Sequence, residues 1–521
     1  MKLPPPADGS ESVIEGRSLD LERVAAFLAP GVCVTLAPAA RKRIAASRAI
    51  VDRLKSDHAP HYGINTGFGI LARERIAAAD SMKLQENLIL SHAVGVGDEV
   101  PQEIVRLMLL LKIAGLSVGN SGVTPELVDR LVVFFNEGVY PVIYTKGSLG
   151  ASGDLAPLAH LTLAVIGLGD VDFRGRRVSA REAHAALGIE PLRLQSKEGI
   201  SMINGTQFMS AYAVHCLLRI RRILKIADIA ATLSIEGWRG SVAPFDERIH
   251  LARPHPGALE SAANVRRMLA GSQILTSHAD CGKVQDPYSL RCVPQVHGAA
   301  RDAVRHAQQV VEIEINSVTD NPLVFENGDV ISGGNFHGEP LALALDYLAI
   351  ATAEIASISE RRTYLLLGGD NTTSPPLPRL LMKDTGINSG FMIPQYTSAA
   401  LVSENKILAH PASVDSIPSS LGQEDHVSMG AIAATKLRQV VQNTETVLAI
   451  ELLCAAQAMD FMRPLRSGPM TEAAHAAIRT RIPFADSDRL FHNDIQAALE
   501  LVQSGAVVAA AEAAPGSPGL V

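Results

Sequence analysis

Residues 147–160 read Gly-Ser-Leu-Gly-Ala-Ser-Gly-Asp-Leu-Ala-Pro-Leu-Ala-His, and within them the tripeptide Ala151-Ser152-Gly153 can become an electrophile. If the backbone nitrogen of Gly153 attacks the carbonyl carbon of Ala151, and one water leaves the ring and another the Ser152 side chain, the product is a methylidene-imidazolone. No unmodified side chain offers such an electrophilic carbon. Closing the ring needs a tight backbone approach, which glycine reaches without a Cβ penalty. Taken as three residues, Ala-Ser-Gly is equally an ordinary turn, because Gly and Ser dominate loops.

Other segments surround reactive side chains with glycine. His61-Tyr62-Gly63-Ile64-Asn65-Thr66-Gly67-Phe68-Gly69, followed by Leu84-Gln85-Glu86-Asn87-Leu88 and Ser91-His92-Ala93, puts a phenol on a glycine-rich loop. That suits a base closing over a substrate, or an aromatic that merely anchors the loop; GxGxxG is absent, so it is no dinucleotide fingerprint. In Gln285-Asp286-Pro287-Tyr288-Ser289-Leu290-Arg291-Cys292, Arg291 offers a planar fork for a carboxylate or for a surface ion pair. Gly333-Gly334-Asn335-Phe336-His337-Gly338-Glu339 and Gly422-Gln423-Glu424-Asp425-His426-Val427-Ser428-Met429 complete the set. His337-Gly338-Glu339 fits the H-x-E half of a zinc deaminase, which also releases ammonia. Its P-C-x-x-C partner, HExxH and clustered Cys/His pairs are all missing, so no metal is expected. Gly150-Ala151-Ser152-Gly153-Asp154 ends in Asp where a G-x-S-x-G elbow needs Gly.

Long helices must carry these loops. Thr124-Pro125-Glu126 supplies a cap, a first-turn proline and a first-turn acid, Leu127, Val128, Leu131, Val132 and Phe135 form an apolar stripe, and Gly138 stands where a helix stops. Further helices are predicted from Thr206 to Ile235, Ala299 to Ile315, Leu341 to Leu366, Ala399 to Ala409 and Ser428 to Phe461. Residues 446–461 are interrupted only by Glu451, Gln457 and Asp460, the pattern of a helix buried inside a large bundle or oligomer. Residues 341–358 contain Asp346 and Glu354 and read as a buried helix, not a membrane span. Short strands at 171–173 with 176–178, and at 323–325 with 330–331, bracket turns and predict hairpins. The Gly/Pro/Ser-rich stretch 368–378 is either a loop or a domain boundary.

A chain of 521 residues exceeds the size at which single cores stop growing. A net charge of -7 disfavours nucleic acid or an anionic membrane as partner and points to a small molecule in a pocket. Five cysteines without a CxxC pair, and a Pro-containing, charged N-terminus, predict a reduced cytoplasmic protein without an export signal.

In all these motifs, in their order and approximate spacing from about Ser18 to Glu500, the chain resembles the aromatic amino acid ammonia-lyases, and among them the histidine-specific members. Glu198-Gly199-Ile200, Asn204-Gly205-Thr206-Gln207, Asp320-Asn321-Pro322, Asn388-Ser389-Gly390-Phe391-Met392 and Ser403-Glu404-Asn405-Lys406 extend the match. The resemblance implies a mostly α fold with a long central helical bundle of the fumarase/aspartase type and a smaller N-terminal α+β lobe. Expected boundaries are a flexible segment 1–20, a lobe 21–205 with the tyrosine loop and the Ala-Ser-Gly loop, and a helical region 206–521.

It implies that Ala151, Ser152 and Gly153 form 4-methylidene-imidazol-5-one (MIO), with no other cofactor, that Asn204 lies beside it and that Tyr62 removes the β-proton. Arg291 would bind the substrate carboxylate, with Tyr288 and Gln285 in the hydrogen-bond network, Phe336 as a wall, and His92 and Glu424 at the imidazole. The expected reaction is loss of ammonia from L-histidine to give urocanate, in a homotetramer with shared sites. Tyrosine or phenylalanine ammonia-lyase and 2,3-aminomutase activities remain alternatives. A tyrosine base needs its pKa lowered from about 10, so a stabilised Tyr62 phenolate is expected. Leu377-Pro378-Arg379-Leu380 departs from the family's usual Leu-Pro-Pro-Phe, which bears on fine specificity.

Overall fold

The computed structural model describes residues 12–521 apart from 56, 58, 70–72, 78–79, 280–282 and 371–375. Residues 1–11 of the segment 1–20 expected to be flexible lie outside the described residues; β1 (Ser12–Ile14) pairs in parallel with β2 (Val34–Leu36), and α1 (Leu21–Phe27) lies between them in the chain. α2 (Pro38–Leu54), α3 (Ser81–His92), β3 (Val96–Glu99), α4 (Gln102–Ser117) and α5 (Pro125–Glu137) follow. α5 has the ends its sequence predicts: Thr124 Oγ accepts the Leu127 N–H at 3.2 Å, and Gly138 takes the left-handed φ of +67°.

β4 (Tyr140–Pro141) and β5 (Tyr144–Lys146) lead into α6 (Leu155–Val165). The predicted hairpin forms from β6 (Asp170–Phe173) and β7 (Arg176–Ser179), with β4 added at its edge, while β5 pairs with β3. α7 (Ala180–Leu187) and α8 (Glu198–Ile203) precede the bundle.

The bundle begins with α9 (Gln207–Trp238), then the shorter α10 (Glu247–Leu251), α11 (Pro256–Leu269), α12 (Gln273–Thr276) and α13 (Tyr288–Arg291). α14 (Val293–Glu314), the hairpin of β8 (Leu323–Val324) and β9 (Val330–Ile331), α15 (Glu339–Leu367), α16 (Met392–Leu408) and α17 (Gly430–Asp460) follow. α18 (Pro469–Arg479), α19 (Phe491–Ser504) and α20 (Ala506–Glu512) close the chain. α14 and α16 start earlier than predicted, because Pro294 and Pro394 sit in their first turns, where a missing N–H costs nothing.

α9, α15 and α17 pack side by side as the centre, with α14 and α16 against them. The polar interruptions of α17 are all partnered. Glu451 takes the Arg362 guanidinium at 2.5 and 2.8 Å, Gln457 donates to the Leu381 and Ala485 carbonyls, and Asp460 accepts from Arg479 at 2.7 Å. A buried charge needs such a partner. By length and apolar composition α15 could cross a membrane, yet 61% of its most apolar window is buried inside the protein, as expected of a core helix. Of the 368–378 stretch between α15 and α16, Asp370 and Leu377 exchange backbone hydrogen bonds of 2.9 Å, and residues 371–375 lie outside the described residues.

Candidate active site

The Ala-Ser-Gly loop precedes α6 in a tight turn. Gly150 and Gly153 take φ of +81° and +77°, and both Gly150 and Ala151 bridge to Gly153 across the turn. A Cβ on Gly153 would stand 2.2 Å from the Gly205 carbonyl oxygen, so only glycine fits. The Asn204 amide donates to the Ser152 carbonyl at 2.7 Å, and the Asp154 N–H to the Gly205 carbonyl at 2.7 Å. Ser152 Oγ donates to Glu424 Oε1 at 3.0 Å, while Ser419 and Ser420 hydroxyls donate to Glu424 Oε2.

Several helices start beside this loop. α6 begins immediately after it, Gly205 just before α9 pairs with Gly153, and the Phe336 carbonyl before α15 lies against Gly153. The Met429 N–H, at the start of α17, donates to the Leu149 carbonyl at 3.1 Å. Their N-terminal N–H groups give the site a partial positive charge, favourable to negative charge that develops there.

A cavity of about 850 Å³ opens over the loop, lined by Tyr62, His92, Ser152, Asn204, Phe336 and Glu424, with Phe68, Asn87 and Gln423 among the remaining walls. Thus six of the predicted site residues share one chamber. Asn65 braces the tyrosine loop by accepting the His61 N–H at 2.7 Å and donating to the Ala59 carbonyl at 3.0 Å. Tyr62 Oη accepts the Gly69 N–H at 3.0 Å, and its ring meets Phe68 edge-on.

The expected stabilised phenolate is not found within this chain. Burial pushes the Tyr62 pKa above its ordinary value, the Glu424 carboxylate adds to the rise, and the Gly69 N–H only partly opposes them. Burial also lowers the His92 pKa, outweighing its Leu88 and Glu424 contacts, so its imidazole is neutral at pH 7.

Gln285, Tyr288 and Arg291 lie elsewhere. Arg291 sits over the Tyr288 ring, 4.5 Å from its centroid, and its Nε donates to the Asp286 carbonyl; Tyr288 and Gln285 are exposed. This cluster adjoins the far end of the bundle, where Lys283 lies over the Trp238 ring and Arg362 of α15 reaches the Ser289 carbonyl. α9 joins the two ends: its 32 residues at 1.5 Å each span about 48 Å.

Sequence reading missed the buried support under Asn204. Lys112 Nζ donates to the Ser201 and Asn204 carbonyls, and burial pushes its pKa down to about 8. Lys197 pairs with Asp320 at 2.8 Å, and Asp154 accepts the Phe208 and Met209 N–H groups while burial raises its pKa to about 7. The signal was present, since Lys112 is a lone charge in the apolar run Leu107–Leu116.

A family model described as aromatic amino acid lyase matches residues 19–480. A histidine ammonia-lyase of Anaeromyxobacter sp. (strain K) is 51% identical over 503 residues, 95% of this chain and 98% of that one. The crystal structure of histidine ammonia-lyase from Trypanosoma cruzi superposes with a TM-score of 0.88 at 41% identity, covering 96% and 94% of the two chains. Tyrosine aminomutase from Streptomyces globisporus gives a TM-score of 0.90 at 35% identity, covering 96% and 98%. Match, fold and clustered motif residues agree: the chain belongs to the aromatic amino acid lyase family.

Proposed function

We propose that this protein is a histidine ammonia-lyase, which removes ammonia from L-histidine to leave urocanate, as the first step of histidine breakdown. The observation that carries this reading is Glu424, held by two serine hydroxyls, facing Ser152 in the same chamber as neutral His92. Once Ser152 has lost its hydroxyl, Glu424 Oε1 can accept an imidazole N–H, whereas beside a phenyl ring that oxygen would be left without a partner at a cost of about 1–3 kcal/mol.

Residues 151–153 fit an MIO group: the turn already brings Ala151 to Gly153, no side chain obstructs residue 153, and Asn204 holds the Ser152 carbonyl. That group supplies an electrophilic carbon. Tyr62 accepts the β-proton of the substrate, His92 and Glu424 orient the imidazole, and Phe336 walls the chamber against water. Tyr62 starts with a raised pKa, so the bound substrate's ammonium, or a cation from a neighbouring subunit, must favour its phenolate.

Gln285, Tyr288 and Arg291 would then bind the carboxylate in the site of another subunit of a homotetramer. Two features support this reading: their separation from the chamber in one chain, and the exposed Leu343, Tyr347, Ile350 and Tyr364 of α15 with Ile393, Tyr396 and Ile407 of α16. Unpaired Cys33, Cys216, Cys292 and Cys454 support a reducing, cytoplasmic setting.

The test is incubation with L-histidine, L-tyrosine and L-phenylalanine, following each conjugated product by ultraviolet absorbance. Urocanate formed fastest from histidine is expected, and its absence refutes the proposal. A β-amino acid product would instead establish an aminomutase. A tryptic peptide spanning Ser152 should be lighter by two waters.

A further inference from the structure

In the sequence, His337 and Glu339 lack the cysteine half of a zinc deaminase site. The tertiary structure supplies a different third group. His426, from the loop before α17, reaches the start of α15, and the ligand atoms of His337, Glu339 and His426 all lie within 4.8 Å of one another. The two imidazoles stack with centroids 5.8 Å apart.

We propose that His337, Glu339 and His426 form a divalent metal site of the zinc class, which ties the loop carrying Glu424 to the N-terminus of α15. Two imidazoles and a carboxylate suit zinc and its neighbours and not calcium or magnesium, which prefer all-oxygen sets.

The hydrogen bonds are arranged for it. His337 Nε2 lies 3.3 Å from the His426 carbonyl oxygen and donates to it, which leaves the lone pair on Nδ1. A metal-binding histidine is normally held in this way, with its other nitrogen donating to a carbonyl or carboxylate. Nδ1 has only a long 3.3 Å contact from the Glu339 N–H. Glu339 Oε2 is buried and has no hydrogen-bond partner among the described residues, an arrangement that is costly for a carboxylate and that a cation relieves.

Tetrahedral zinc with bonds near 2.1 Å needs its ligand atoms about 3.4 Å apart. The remaining closure falls on His426, the exposed member of the three. None of the three residues lines the substrate cavity, so the metal would hold the chamber's rim and leave its chemistry to the chamber. His337 follows the wall residue Phe336, and His426 stands two positions after Glu424. Such a site is independent of which amino acid the chamber takes.

The purified full-length protein is stripped with a chelator and titrated with Zn²⁺ alone, without histidine, which itself binds zinc. One equivalent per chain should bind at this site, and His426→Ala and Glu339→Gln should each weaken it at least tenfold, the scale on which even outer-shell partners act. Co²⁺ in place of zinc should show ligand-field bands without a thiolate charge-transfer band, which separates this site from the exposed Cys33. Hydrogen exchange should slow on zinc addition across 416–428 and 333–341 in the wild type and not in His426→Ala. Wild-type affinity in both variants, a thiolate band, or unchanged exchange in the wild type would overturn the proposal.

Discussion

In the proposed reaction two side chains divide the work in the chamber, and each has a consequence that can be measured. Tyr62 must be ionised to take a proton, yet burial raises its pKa. The phenolate fraction therefore grows with pH throughout the range below that pKa, and kcat/KM should climb as pH rises from 7 to 9. Tyr62→Phe should lower kcat by about 10²–10⁴-fold and flatten that rise, while the Ser152 peptide keeps its mass deficit; near-normal turnover would exclude Tyr62 as the base. The proposed role of Glu424 is in specificity. Glu424→Gln replaces a charge-assisted hydrogen bond with a neutral one, so kcat/KM for L-histidine should fall by roughly 10- to 100-fold, the equivalent of about 1.5–3 kcal/mol. A smaller loss for L-phenylalanine is expected, and equal losses for both would remove Glu424 from substrate choice. Both residues were legible in the sequence by type and neighbouring glycines, but the direction of the Tyr62 shift was not, because it arises from burial and from Glu424, 362 positions away.

The starts of α6, α9, α15 and α17 act together as one element, a ring of helix N-termini around the Ser152 loop. Asp154 is their link, since it follows the loop and its carboxylate holds the first N–H groups of α9. Its carboxyl titrates near 3.9 when unfolded and at about 7 in the fold. Between those values the folded chain binds the extra proton, so this group's stabilisation is complete below about pH 4 and declines as pH rises to 7. The melting temperature of the wild type relative to Asp154→Asn should therefore fall between pH 4.5 and 7.5, as read by calorimetry. A constant difference would mean that Asp154 does not titrate in this range. Helix positions such as Thr124 to Gly138 were readable because caps and stripes act over a few residues. The convergence of four helix starts was not, because nothing local encodes which ends meet.

At the scale of the molecule, the bundle holds two sets of site residues at opposite ends of helices about 48 Å long. In the proposed homotetramer, a second copy of the chain brings Arg291 and Tyr288 to a chamber containing Tyr62. Tyr62→Phe and Arg291→Ala proteins, each nearly inactive, should therefore regain activity when they are co-expressed or unfolded and refolded together, because some mixed sites carry neither substitution. With two subunits contributing one set each to a site, equal mixing leaves about a quarter of such sites intact, and activity should recover towards that fraction of wild type. No recovery in mixed oligomers, verified by mass, would show that each site is built from a single chain.

The reactive tripeptide, the helices and their caps, and the types of group needed for an elimination from an amino acid are all readable along the chain. These follow from short-range rules: glycine where φ is positive, proline in first turns, apolar residues on one face. Tertiary structure decided which of these groups meet. It placed Glu424 on Ser152, put Lys112 beneath Asn204, brought His426 near His337 and Glu339, and kept Arg291 away from the chamber of its own chain. The physical reason is that proximity across hundreds of residues is set by how three long helices pack, and that burial, which packing alone creates, sets the charge state of whatever is brought together.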